Sequence, residues 1–229
     1  MKKVLLSVGL FAMTISAKAQ VISFDAGLKG AFSATEMFNN NISDLGAIQD
    51  YKLATGSNVG IALNSNFGKI GVSLEFLTGT FNTAYQGTMG STAYTSNVAL
   101  KTFSIPILVR LGGQTGGYAE IGVSTNAVQS ATYSNDLPVS NPLTMSTSDV
   151  TGKYNSYTTA VLGFGSNISL GDSFPLILNV GIRLQYGITD AAGVDALGAD
   201  LTNNFIYPTY QKSAAASAGL HVGLTYKIK

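Results

Sequence analysis

Six residues able to do chemistry share one feature. Lys29, Glu75, Arg110, Glu120, Arg183 and His221 each fall, by odd–even parity, on the small and polar side of an alternating segment. Two carboxylates, three cations and an imidazole could move protons, pass ions or neutralise one another. Charges withdrawn from water must be paired. Glu75, Arg110 and Glu120 lie near the same ends of three consecutive segments, so the expected bridge is Arg110 between Glu75 and Glu120. Lys29, Arg183 and His221 lie farther from those ends, on segments that become neighbours if the sheet closes on itself. His221 is the single His. A hydrolytic His must reach a nucleophile, and its parity points it inward instead. One His without Cys cannot build a zinc site, so no metal or cofactor is expected. Asp190, Asp195 and Asp200 recur every fifth residue, whereas a calcium loop places ligands at alternate positions. That spacing better fits a short loop helix capped by Asp190, with Val194, Leu197 and Leu201 on one face. Gly112-Gly113 and Gly116-Gly117 lack the Lys-Ser/Thr of a phosphate cradle and read as turn glycines.

The elements that must hold these residues are strands. From Leu176 to Gly187, Leu176, Leu178, Val180, Ile182, Leu184 and Tyr186 alternate with Ile177, Asn179, Gly181, Arg183, Gln185 and Gly187. That is period two over the length of a tilted membrane-spanning strand. Seven more such segments are expected: Val21 to Ser33, Ser57 to Phe67, Ile70 to Gly79, Lys101 to Leu111, Tyr118 to Val128, Tyr154 to Leu170 and Ser213 to Tyr226. Pro106 inside the fourth marks a bulge or a lost ladder bond. Three short turns, including Gly68-Lys69, alternate with four long polar connections at 34–56, 80–98, 129–153 and 188–209. Long loops on one side and tight turns on the other are the outer-membrane barrel pattern. Those connections hold Glu36, Asp44, Asp50, Asp136, Asp149, Asp190, Asp195 and Asp200, acids a lipid-facing wall would not carry.

Composition agrees. Charged residues are 11% of the 229, against about 25% in ordinary soluble domains, yet no apolar run is long enough for a spanning helix. A soluble eight-stranded barrel also alternates, but it would put charges outside and bulk inside. Here the charges share their face with Gly, Ala and Ser, which suits a crowded interior. Phe67, Phe174 and Tyr226 fall near the short-turn end, and Phe32, Phe76, Phe103, Tyr186 and Tyr210 near the long-loop end, as interfacial girdles would. Met1–Ala19 reads as a secretory leader: Lys2 and Lys3, an apolar core from Val4 to Ala12, and Ala17-Lys18-Ala19 for cleavage. Its removal leaves ten basic residues against twelve acids, about −2 in all, which offers nucleic acid nothing. The expected fold is all-β: one domain over 20–229, an eight-stranded antiparallel up-and-down transmembrane β-barrel with long extracellular loops and short periplasmic turns.

Several phrases resemble the small outer-membrane barrels of Bacteroidota often labelled PorT-like. They are Phe24-Asp25-Ala26-Gly27-Leu28-Lys29-Gly30, Phe103-Ser104-Ile105-Pro106-Ile107-Leu108, Tyr118-Ala119-Glu120-Ile121-Gly122 and Arg183-Leu184-Gln185-Tyr186-Gly187-Ile188-Thr189. Together they span almost the whole chain after the leader, and Pro106 falls where that family carries its fourth-strand proline. The chain departs from the family's usual end, with Lys227-Ile228-Lys229 in place of a final aromatic. The resemblance implies an exported outer-membrane location, and one branch of the family belongs to a secretion apparatus. An eight-stranded barrel has room for side chains and none for an open pore. The six inward residues therefore read as a structural network. The expected protein is non-enzymatic and acts in envelope structure or interaction, touching outer-membrane lipid and a partner at the long loops. A narrow solute channel and a lipid-modifying enzyme are the other two readings.

Overall fold

The computed structural model describes residues 22–138, 141, 143–144, 147–171, 175–202, 207 and 209–228. The leader and Phe174 lie outside them. Eight strands form the wall: β1 (Ile22–Phe38), β2 (Ala54–Phe67), β3 (Ile70–Met89), β4 (Thr92–Gly112), β5 (Gly116–Asn135), β6 (Tyr157–Ser169), β7 (Leu176–Gly187) and β8 (Ala214–Ile228). Each pairs antiparallel with its sequence neighbours, and β8 pairs with β1 from Phe24↔Ile228 to Phe38↔Ala214. The sheet is thus a closed up-and-down barrel with no free edge. Following paired residues once round from Phe24, through Ser65, Val72, Val109, Ile121, Leu162, Leu184 and Ala218, returns to β1 at Ala34. That ten-residue stagger tilts the strands by about 40°.

The two faces divide as parity requires. Leu28, Ile61, Ile107, Ile121, Phe164, Leu184 and Leu220 are exposed on the outer surface, while Lys29, Glu75, Arg110, Glu120, Arg183 and His221 are buried inside. The turn between β2 and β3 is Gly68-Lys69, with Gly68 at φ +63°, a conformation that costs glycine little. Pro106 points inward, and the β3–β4 ladder skips Glu75 and Phe76, between Leu74↔Ile107 and Leu77↔Ser104, with no change of register. The missing proline N–H explains the gap.

Two expectations about the loops are corrected. The connection at 80–98 is strand: β3 and β4 run on to Met89 and Thr92 around a turn at Gly90. β1 and β5 likewise outlast the expected ends, reaching Phe38 and Asn135. Above Lys101 the wall inverts, with Tyr94, Val98 and Leu100 buried inside and Asn97, Ala99 and Lys101 outside. In β5 the inversion passes through a bulge. Lys101 pairs with Ser130 but Thr102 with Val128, so Gln129 is the extra residue, and Ala131 and Tyr133 turn inward. The barrel therefore continues past its apolar belt as a wall of soluble character.

The second correction concerns 188–209. Its described part, to Leu201 and Thr202, contains no helix. Each of its three Asp side chains accepts a backbone N–H two residues on: Asp190 from Ala192, Asp195 from Leu197 and Asp200 from Thr202, each at 2.9 Å. The five-residue recurrence marks three Asx turns. The segment folds into the barrel mouth, where Val194, Ala196 and Leu201 join Met37, Ile42, Tyr85, Tyr94, Val98, Leu100, Tyr133, Tyr154, Tyr157 and Tyr207 in one apolar core. Two of the supposedly water-exposed loop acids, Glu36 and Asp195, are buried.

Candidate functional site

The barrel interior is layered. Nearest the short turns is a polar layer. Asn66 donates to Asp25 at 2.7 Å, Asn179 to Asn167 at 2.8 Å, and Asn167 to the Gly113 carbonyl at 3.1 Å. Parity along β1, β2, β6 and β7 turns these side chains in, and amides satisfy one another without adding charge.

Above it lies a cluster built from all six of the expected residues. Arg183, from β7, is its centre. Its Nη1 and Nη2 donate to Glu75 at 2.9 and 3.0 Å, and its Nε and Nη2 donate to Glu120 at 2.8 and 2.6 Å. Lys29, from β1, donates to Glu75 at 2.6 Å. Arg110 Nε lies 3.4 Å from Glu120 Oε2, and its guanidinium stacks 3.9 Å above the Tyr118 ring, a cation–π contact. The expected Arg110 bridge is therefore corrected. Arg183 joins Glu75 to Glu120, and Arg110 touches only Glu120. Strand order along the chain suggested the neighbours of β4, but a guanidinium on β7 crosses the narrow lumen and reaches β3 and β5 together. The two tiers read from sequence are a single cluster.

Glycines on the inner face make the room. A Cβ on Gly163 would lie 2.6 Å from Glu120 Oε1, and one on Gly181 would lie 2.8 Å from His221 Cε1. His221 Nε2 is 2.7 Å from Tyr118 Oη. Among the described residues its hydrogen-bonded side chain is thus a phenol, not a Ser or Thr hydroxyl. Asp25, Glu75 and Glu120 balance Lys29, Arg110 and Arg183 in formal charge. A buried set of ion pairs of this kind holds the wall together only while each pair keeps both members.

Over the cluster is a small cavity of about 40 Å³, lined by Ser33, Asn58, Thr102, Ser104, Ser124, Asn126, Thr159 and Gln185 among others, room for a few waters. Over the cavity is the apolar mouth core, which sequence reading missed. Its signal is the apolar inner-parity series Tyr94, Val98 and Leu100. One polar group is packed within it. Tyr207 donates to Asp195 at 2.8 Å, Gln49 accepts from Ala196 N at 3.1 Å, and Tyr133 and Ser96 both donate to the Ala196 carbonyl, at 2.9 and 2.7 Å. The segment at 188–202 is thereby tied to β4 and β5. At the rim, Lys153 pairs with Asp200 at 2.7 Å. Desolvation pushes the Asp200 carboxyl up, but the hydrogen bonds from Lys153 and Thr202 outweigh it and hold it down at about 2. Among the described residues no three His, Asp, Cys or Glu side chains gather as metal ligands would.

No family model matches the chain, and no curated protein matches it. Among solved structures it is similar to the outer membrane protein OprG from Pseudomonas aeruginosa, at 12% identity over 93% of this chain and 98% of that one, with a TM-score of 0.46. It is similar to Neisserial surface protein A, at 13% identity over 90% and 99%, TM-score 0.41. A third is Ail, the attachment invasion locus protein of Yersinia pestis, at 10% identity over 90% and 99%, TM-score 0.38. These likenesses accompany the barrel fold and reach no further. The PorT-like resemblance rests on the sequence phrases, and the fold itself rests on the closed ring of eight strands.

Proposed function

We propose that the protein is a non-enzymatic outer-membrane barrel with a filled interior, serving envelope structure or interaction through the surfaces at its two ends. The outer belt of exposed Leu, Ile, Val and Phe supports the membrane placement, because only hydrocarbon covers such a belt without cost. The observation that carries the reading is the sealed lumen. An ion cluster with Glu75 and Glu120 almost wholly buried lies beneath a closed apolar core in which Val98, Leu100 and Tyr133 have no exposed surface. A solute would have to displace both. Partners meet the protein at the rim formed by the upper strands and the connections at 34–56, 129–153 and 188–209, or at the periplasmic turns.

Purified protein in planar bilayers is expected to show no conductance steps. The polar cavity of about 40 Å³ favours a narrow channel as the second reading, and any reproducible step would promote it. Crosslinking in intact cells, followed by identification of what is joined to the rim, tests the interaction reading directly.

A further inference from the structure

We propose that the cavity above the ion cluster is a binding site for one small neutral polyol, a three-carbon chain with a hydroxyl on each carbon. The site goes beyond the structural role just given and leaves that role unchanged. The cavity of about 40 Å³ has room for about three waters. None of the residues lining it is charged. The charges beneath are engaged with one another: Glu75 with Lys29 and Arg183, and Glu120 with Arg183. An ion entering the cavity would shed its water and meet no counter-charge in the lining, a loss that a neutral guest avoids.

The walls are suited to bonding hydroxyls. Ser33, Thr102, Ser104 and Ser217 line the cavity, and among the described residues their side chains have no hydrogen-bond partner. Gln185 Oε1 accepts from Thr159 at 3.1 Å, which leaves the Gln185 amide nitrogen to donate. A hydroxyl both donates and accepts, so these groups match a guest hydroxyl either way. Leu77, Phe81 and Pro106 give the same space apolar walls. A water there lacks polar partners on that side. A polyol covers it with carbon while its hydroxyls take the places of the waters. The ion cluster closes the cavity from below and the mouth core from above, so the way in is through the wall. Gly56, Ser57 and Thr80 also line the cavity, and Ser57 is exposed on the outer surface. The β2–β3 ladder stops at Ser57↔Thr80. Above that pair the closure is by side chains: Asn82 donates to the Thr55 carbonyl at 2.6 Å, and Thr35 to the Asn82 carbonyl at 2.7 Å. Side chains swing aside where a ladder does not. Thr80 pairs with Lys101, at the upper margin of the apolar belt, so this path starts in water.

The full chain, isotopically labelled and folded in dodecylphosphocholine micelles, can be titrated with glycerol and followed by its backbone amide resonances. Saturable shifts are expected at Ser33, Thr102, Ser104 and Ser217, with the amides of the polar floor at Asp25 and Asn179 unmoved. 1-Propanol, with one hydroxyl, and sorbitol, too long for the cavity, should give no saturable shift at those residues. Thr102→Val keeps the shape of the side chain without its hydroxyl and should weaken glycerol about fivefold, the usual worth of one hydrogen bond. Ser104→Leu should fill the cavity and abolish the shifts, and Thr102→Val decides the matter if that variant does not fold. Shifts that stay linear with glycerol, or no shifts, mean that the cavity takes water only and overturn the site, leaving the sealed lumen as it stands. Equal binding of glycerol by wild type and Thr102→Val overturns it as well. Saturation by 1-propanol as tight as by glycerol overturns the polyol class, and tighter binding of glycerol 3-phosphate overturns the preference for a neutral guest.

Discussion

At the scale of single residues, Arg183 decides whether the interior is stable. Its guanidinium makes four hydrogen bonds to two carboxylates that have almost no contact with water. Arg183→Leu leaves Glu75 with the Lys29 ammonium and the Ser73 hydroxyl, and Glu120 with the poorly aligned Arg110. A loss of about 3–5 kcal/mol is expected, the usual cost of breaking a buried pair, measurable as the urea midpoint for unfolding from lipid vesicles. Arg110→Leu should cost less, because its Nε is 3.4 Å from Glu120 and its ring contact with Tyr118 is partly replaced by the leucine. A double-mutant cycle should find coupling above about 1 kcal/mol for Glu75 with Arg183 and none for Glu75 with Arg110. Gly163→Ala should destabilise by about 1–3 kcal/mol, as overpacking does. The three atoms nearest the added methyl all belong to the Glu120 side chain, so its effect should largely vanish in an Arg183→Leu background, where Glu120 is free to move. The participants were legible from parity. Their partners were not, because a long side chain crossing a narrow lumen is indifferent to strand order.

At the scale of elements, β4 and β5 change solvent partway along. Below Phe103 the outer positions of β4 are apolar; above it they are Lys101, Ala99 and Asn97, and Leu100, Val98 and Tyr94 face in. The bulge at Gln129 lets β5 make the same change while keeping Tyr133 inside. Leu100→Ala should therefore loosen the mouth core by about 2–4 kcal/mol, a buried leucine's ordinary cost. The sign of that loosening is cleavage at 188–202 under limited proteolysis while the β7–β8 membrane segment stays protected. The tie between Lys153 and Asp200 should respond to acid. The folded carboxyl lies near 2, below its ordinary 3.8, so its contribution is complete above about pH 4 and fades as pH falls through 2. Lys153 is about half exposed, so the effect should stay under about 1 kcal/mol. Faster amide exchange at 199–202 in Asp200→Asn at neutral pH, with no change in exchange within β7, would show it.

At the scale of the whole molecule, the barrel is a stack: a polar amide floor, a neutralised ion cluster, a small wet gap and a core like that of a soluble protein. The first three fill the lumen, and the fourth turns the long connections into part of the fold. Removing the mouth segment should therefore unseal the top without opening a pore, and a bilayer recording of a chain with 190–202 replaced by a short Gly-Ser link should still lack steps. The order of the strands, their number, the lipid side of each and six of the titratable residues inside were determined by sequence, because period-two alternation is a local consequence of two different solvents on two faces; Asp25, Glu36 and Asp195 are buried as well and were not among those six. What only the tertiary structure decided was the pairing within the cluster, the inversion of the wall above the belt and the burial of 188–202. Each depends on which residues closure of the ring brings across the lumen or into its mouth, distances that no spacing along the chain encodes.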